Sequence, residues 1–108
     1  MAVNVFRNVA TDITGGGLSV YTAPAGYSAI VLAAQISNST SSAVGVNLQV
    51  LNDDSTSTAL LTDFDVPGND AVNGIVGKLI LETGQSLFIS AADDTSLKLV
   101  LSVLESQN

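Results

Sequence analysis

From Tyr27 the chain reads Tyr-Ser-Ala-Ile-Val-Leu-Ala-Ala-Gln-Ile-Ser, an apolar run with the period of two that a pleated strand imposes. On that period Ile30, Leu32, Ala34 and Ile36 share one face, and Val31, Ala33 and Gln35 share the other. The run from Ala43 to Leu51 alternates more sharply. Val44, Val46, Leu48 and Val50 lie on one side, with Gly45, Asn47 and Gln49 opposite. Near the C-terminus, Leu97, Leu99, Leu101 and Val103 point one way, while Lys98, Val100, Ser102 and Leu104 point the other. The outward set includes two aliphatic residues, Val100 and Leu104, and the same excess appears at Leu51 and Val31. Such an outer face is either a subunit interface or a strand covered by a loop.

Shorter strands are expected between these runs. Val3 to Ile13 forms a first strand, and Leu18 to Ala23 a second after the Gly15-Gly16-Gly17 break, a flexible turn. Ala59 to Val66 ends at Pro67-Gly68, and Ala71 to Val76 contains Asn73-Gly74, a dipeptide suited to a tight turn. Lys78 to Leu81 and Gln85 to Ser90 flank Glu82-Thr83-Gly84, which reads as a hairpin turn. The Ser/Thr/Asn-rich stretches at 37–42 and 52–58 read as loops. No window of a dozen residues keeps helical apolar spacing free of β-branched or Gly interruption, so at most one short helical turn is expected. The pattern predicts an all-β fold, a single-domain antiparallel β-sandwich or jelly roll over residues 1–108, with about eight strands.

Composition changes this picture in one respect. Apolar residues make up 46% of the 108-residue chain, as in an ordinary globular protein, but charged residues only 12%. About 25% is usual. A surface poor in charge is either partly buried against other subunits or covered by hydroxyls and amides, and the aliphatic outer faces favour the first. Ten acids against three bases (Arg7, Lys78, Lys98) give a net charge of −7, which repels phosphate backbones and anionic membrane surfaces. Nucleic acid and membrane are therefore not expected partners. The N-terminus shows no basic segment followed by an apolar run, and no apolar stretch approaches the ~20 residues of a membrane helix.

Candidate chemistry is sparse. With no His and no Cys, Ser-His-Asp and Cys-His arrangements, disulfides and thiolate metal sites are all excluded. The pairs Asp53-Asp54 and Asp93-Asp94 sit beside Ser and Thr, where aspartate usually accepts backbone N–H groups; a hydrolase using paired aspartates is the rival reading. Asp63-Phe64-Asp65-Val66-Pro67-Gly68-Asn69-Asp70 gathers oxygen ligands but lacks EF-hand spacing, so solvated loop acids are preferred to a calcium site. The glycine triplet lacks the Lys-Ser/Thr of a phosphate loop, and Asn38-Ser39-Thr40 matches a glycosylation sequon. Most of the five aromatics (Phe6, Tyr21, Tyr27, Phe64, Phe88) are expected in the core. No catalytic residue, metal ligand or cofactor is predicted.

Three segments together carry a resemblance: Val20-Tyr-Thr-Ala-Pro-Ala-Gly-Tyr-Ser-Ala-Ile-Val-Leu, Gly77-Lys-Leu-Ile-Leu-Glu-Thr-Gly-Gln-Ser-Leu, and Leu97-Lys-Leu-Val-Leu-Ser-Val-Leu-Glu. In this order they resemble small virion proteins of tailed bacteriophages, particularly those of aquatic bacteria. The resemblance implies a β-sandwich subunit displayed on the particle, made in the host cytoplasm. It would act as a homo-oligomer, commonly a trimer, on a major capsid protein or another virion protein. A decoration or cement role is the leading expectation. The alternative is a neck, tail or fibre component that attaches other virion parts or binds host glycans, with Tyr21 or Tyr27 as candidate contacts. Residues 1–14 form a docking strand or arm, or else an ordinary edge strand. Val3, Val5, Phe6, Val100 and Leu104 are the candidate interface residues.

Overall fold

The computed structural model describes residues 4–75, 77–94 and 96–107, and the regular elements among them are all strands. They are β1 (Asn4–Ile13), β2 (Leu18–Thr22), β3 (Tyr27–Asn38), β4 (Val44–Leu51), β5 (Ser57–Val66), β6 (Asp70–Asn73), β7 (Leu79–Leu81), β8 (Ser86–Ala91) and β9 (Leu97–Gln107). One antiparallel sheet has the order β1-β9-β3-β6, with β7 also paired to β3, and the other has the order β2-β8-β4-β5. Only β4 and β5 are sequence neighbours that pair with each other; elsewhere the chain steps between sheets or along an edge. This is the jelly-roll arrangement of an antiparallel sandwich. Because β6 and β7 pair with two stretches of the same strand, nine strands fill eight positions, the number read from the turn spacing.

Unbroken alternation builds the core. Leu97, Leu99, Leu101 and Val103 of β9 are at most 1% exposed, and Val44, Val46 and Leu48 of β4 face them from the other sheet. Ile13, Leu87 and Ile89 complete the same cluster. Each such side chain contributes roughly 1.5–3 kcal/mol by leaving water.

On β3 the alternation is interrupted. Val31 pairs with Val103, but the next partners are Ala33 and Ser102, so Leu32 is an extra residue in a β-bulge. The bulge exchanges the two faces. Ala29 and Val31 are buried before it and Ala34, Ile36 and Asn38 after it, while Ile30 and Leu32 turn outward. The single face expected for Ile30, Leu32, Ala34 and Ile36 is thus corrected: only the last two reach the core. The cause lies in the pairing with β9, which strand periodicity does not encode.

Two turn expectations also change. Gln85 N–H does donate to the Glu82 carbonyl at 2.9 Å, so Glu82-Thr83-Gly84 is a turn. It carries the chain from β7 in one sheet to β8 in the other, not around a hairpin. Asn73-Gly74 has no positive φ; instead Asn73 Oδ1 accepts from the N–H of Ala34 and of Ile75, both at 3.2 Å, fastening β6 to β3. The Gly15-Gly16-Gly17 segment is a turn, as expected, and its last glycine is required by the backbone. Gly17 has φ 81°, its N–H donates to the Thr14 carbonyl at 3.3 Å, and a Cβ there would stand 2.5 Å from the Phe88 ring.

The aromatics are less buried than expected. Tyr21 is in the core at 9% exposure, whereas Phe6 and Phe64 are 75% and 42% exposed, and Tyr27 and Phe88 are half-buried. A polar residue replaces them at one end of the core. Asn38, 2% exposed, donates through Nδ2 to the carbonyls of Ser42 (2.8 Å) and Val66 (3.0 Å). Its Oδ1 accepts from the Thr40 N–H (3.0 Å) and hydroxyl (2.7 Å). The sequon asparagine is therefore a structural plug with both amide hydrogens engaged.

Candidate functional site

Pairing registers bring four apolar side chains into one row across the outer face of the first sheet. Phe6 of β1 lies opposite Leu104 of β9, Leu104 lies opposite Ile30 of β3, and Ile30 lies opposite Ile80 of β7. Opposed side chains on a sheet stand about 5 Å apart, so the row runs about 15 Å across the strands. Its ends are open to solvent, with Phe6 75% and Ile80 63% exposed, while Leu104 and Ile30 are shielded by neighbours on both sides. Leu32, pushed out by the bulge, extends the patch.

Along β1, β9 and β3 the described neighbours of this row carry no charge, while Lys78 and Glu82 stand two residues to either side of Ile80 at the ends of β7. On one side stand Asn8, Ser102 and Ala33; on the other, Asn4, Ser106 and Ser28. A further row holds Ala10, Val100, Gln35 and Asn73. On β1 and β9, charge enters this sheet face at the far end, where Lys98 Nζ meets Asp12 Oδ1 at 2.6 Å. Both side chains are largely exposed, so the pair stabilises little, but it leaves the face neutral. The other acids lie in loops, on β5, at the start of β6, or inside the sandwich.

Of the candidate interface residues, Phe6 and Leu104 are direct neighbours in the row, and Val100 lies on the same face. Val5 is placed on the opposite, inward side of β1, across from Glu105. Val3 lies outside the described residues. Local alternation does not reveal Ile30 and Ile80. The bulge hid the first, and a three-residue strand is too short to reveal the alternation that would have exposed the second.

A second constellation lies on the inward side. Glu105 continues the buried series of β9 and is 3% exposed. The Tyr21 hydroxyl of β2 donates to its Oε2 at 2.5 Å, and Arg7 Nε of β1 donates to its Oε1 at 2.7 Å. The tyrosine and then the guanidinium hold the carboxyl below the usual carboxylate range, against the opposing effect of burial. Burial first, and the bond to Glu105 second, push the Tyr21 phenol up. The trio ties the edge strands β1 and β2 of the two sheets to β9, with the carboxylate occupied by its two donors.

Three of the four paired aspartates accept backbone N–H groups, two of them from their own loops and one from the glycine turn. Asp54 Oδ1 accepts from the Thr56 N–H and hydroxyl, Asp93 from the Ser96 N–H and hydroxyl, and Asp94 Oδ1 from the Gly15 N–H. In the acidic stretch, the Asp63 N–H donates to Asn47 Oδ1 at 2.9 Å across a bulge in β5. Among the described residues no three acids converge as metal ligands would. An apolar pocket of about 380 Å³ opens at the other edge, where the short β6 and β7 leave β5 uncovered; Leu60, Leu61, Phe64, Val72 and Leu79 line it, with Lys78 also contributing.

No protein-family model matches the chain, and no curated protein matches it in sequence. Solved structures do share its fold. A protein of Bacillus endospore appendages, described as disulfide-linked pili, superposes over 100% of this chain and 88% of its own with a TM-score of 0.61 and 9% identity. The virus-like particle protein of the extra small virus of the prawn Macrobrachium rosenbergii superposes over 99% of this chain and 80% of its own, with a TM-score of 0.50 and 13% identity. VP2 of infectious bursal disease virus, as a D431N mutant in T=1 particles, gives 0.51 at 9% identity, and this chain spans 32% of its length. At such identities the likeness is one of fold.

Proposed function

We propose that this chain is a structural subunit of a virion, an accessory protein that decorates and reinforces a capsid as a symmetric homo-oligomer. The observation that carries this reading is the neutral apolar row Phe6–Leu104–Ile30–Ile80 on a chain of net charge −7. A solitary subunit gains nothing from holding Phe6 and Ile80 in water. A subunit packed against another recovers about 25 cal/mol for each Å² of apolar surface covered. Neutrality matters as much, because two copies of so acidic a chain approach at least cost through the face that carries no net charge.

The segments that resemble phage virion proteins support the virion setting, and for that family three copies would be expected. The jelly roll shared with proteins of virus particles and of pili is compatible with such a role. Since this chain has no cysteine, its assembly would rest on non-covalent contacts, each weak and multiplied by copy number. The likeness to an appendage protein favours a second reading, a neck, tail or fibre subunit. Recognition of glycans through Tyr21 is not favoured, because that hydroxyl is committed to Glu105.

Heating particles with and without the protein tests the proposal. Reinforcement predicts that particles lacking it open at lower temperature and that adding the chain back restores them. Equal opening temperatures would refute the cement role, and filaments formed by the purified chain would favour the appendage reading.

A further inference from the structure

The four sheet edges differ in how well they are guarded against pairing with another chain. Natural sheets blunt their edges with bulges, charges, proline or short strands. β2 has five residues and a register shift, and β6 and β7 have four and three. β5 is long, but two register shifts interrupt its pairing, and Asp63 and Asp65 stand on it. β1 has none of these devices. Its ten residues, Asn4 to Ile13, pair with β9 without a shift, contain no proline, and end the sheet. Its two charges are each cancelled by a partner on β9, Arg7 by Glu105 and Asp12 by Lys98.

We infer that β1 is a self-pairing edge, joining antiparallel to β1 of a second copy about a twofold axis perpendicular to the sheet. The bulged β5 and the short β2, β6 and β7 offer no comparably straight, uninterrupted complement, so β1 is best matched by another β1. Like pairing with like in antiparallel sense is a closed, isologous contact. The axis keeps outer faces outward, so the neutral face of one copy continues into that of the next. A ladder centred on Asn8 uses Asn4 to Asp12, sets Phe6 beside the partner's Ala10 and Arg7 beside the partner's Val9, and opposes no two like charges. Backbone hydrogen bonds along the ladder provide the adhesion, as in other strand-addition contacts.

This inference rests on the self-assembly proposed above and names two copies, not three, as the unit. The mass of the intact chain in solution, across a dilution series, tests it together with hydrogen exchange of the β1 amides. The expected mass is twice the 11.0 kDa chain, with β1 amides exchanging at least tenfold more slowly at high protein concentration than at low. Asn8→Lys sets two ammonium groups against each other at the axis and is expected to halve the mass, with its circular dichroism unchanged. Asn8→Asp does the same, and an equal mixture of the two variants restores the pair. A dimer that persists in Asn8→Lys, a wild-type mass of three chains, or β1 exchange independent of concentration overturns the edge pairing. Those three outcomes leave assembly through the apolar row intact. A wild-type chain that is monomeric at every concentration and fails to stabilise particles overturns both.

Discussion

Replacing Tyr21 by Phe removes one oxygen atom from the core. That oxygen donates at 2.5 Å to Glu105, a carboxylate only 3% exposed whose other oxygen is held by Arg7 at 2.7 Å. Phenylalanine keeps the ring and its packing, so the change isolates the hydrogen bond. A bond to a charged group is worth about 1.5–3 kcal/mol, and the carboxylate left behind has one donor instead of two. The expected loss is about 2 kcal/mol at pH 7. For a domain of this length, that lowers the melting temperature by roughly 8–16 °C.

The pH dependence supplies a second readout with a definite sign. Glu105 lies below the usual 4.5 in the folded chain, so its contribution is fully present above that value and is lost as pH falls through the depressed one. Tyr21→Phe removes the larger cause of the depression. Its deficit relative to wild type is therefore complete at neutral pH and narrows as acid protonates the carboxyl. Urea unfolding followed by circular dichroism at several pH values measures both quantities. A deficit under about 0.5 kcal/mol at pH 7 would refute the bond, since even an ordinary neutral one contributes that much. A deficit independent of pH would refute its charge-assisted character.

Asn38→Ala should cost about 3 kcal/mol, because the Val66 carbonyl loses its amide donor inside the core; a shift in urea midpoint at unchanged slope measures it. Gly68→Ala places a Cβ 2.5 Å from the Ser41 carbonyl carbon and oxygen, so thermal melting should show a loss of about 1–3 kcal/mol. Gly16→Ala, with nothing within 4 Å, is the matched control and should melt as wild type. Phe6→Ser combined with Ile80→Ser should leave the unfolding free energy of the chain within about 0.5 kcal/mol, since both side chains are already in water, while co-sedimentation shows binding to particles weakened at least tenfold.

Much of this architecture was legible in the chain. The inward faces of β4 and β9 followed from alternation, which is a property of the extended backbone and needs no partner. Continuing the β9 series by one more step, past Leu97, Leu99, Leu101 and Val103, reaches Glu105. The signal for the buried carboxylate is therefore present in the alternation, although a charged side chain does not by itself mark an inward position. The absence of His and Cys likewise rules out thiol and imidazole chemistry from the sequence alone.

What the tertiary structure alone decided concerns which distant segments meet. The bulge at Leu32 exists because β3 must match β9, some seventy residues away in sequence, and it turns Ile30 outward beside Leu104 and Ile80. Whether Glu82-Thr83-Gly84 closes a hairpin or crosses between sheets depended on the partners of β7 and β8, since the same turn serves both. Periodicity is local because successive peptide units fix it. Register, crossover and the composition of a surface row are non-local, because they are set by hydrogen bonds between strands that only the folded chain brings side by side.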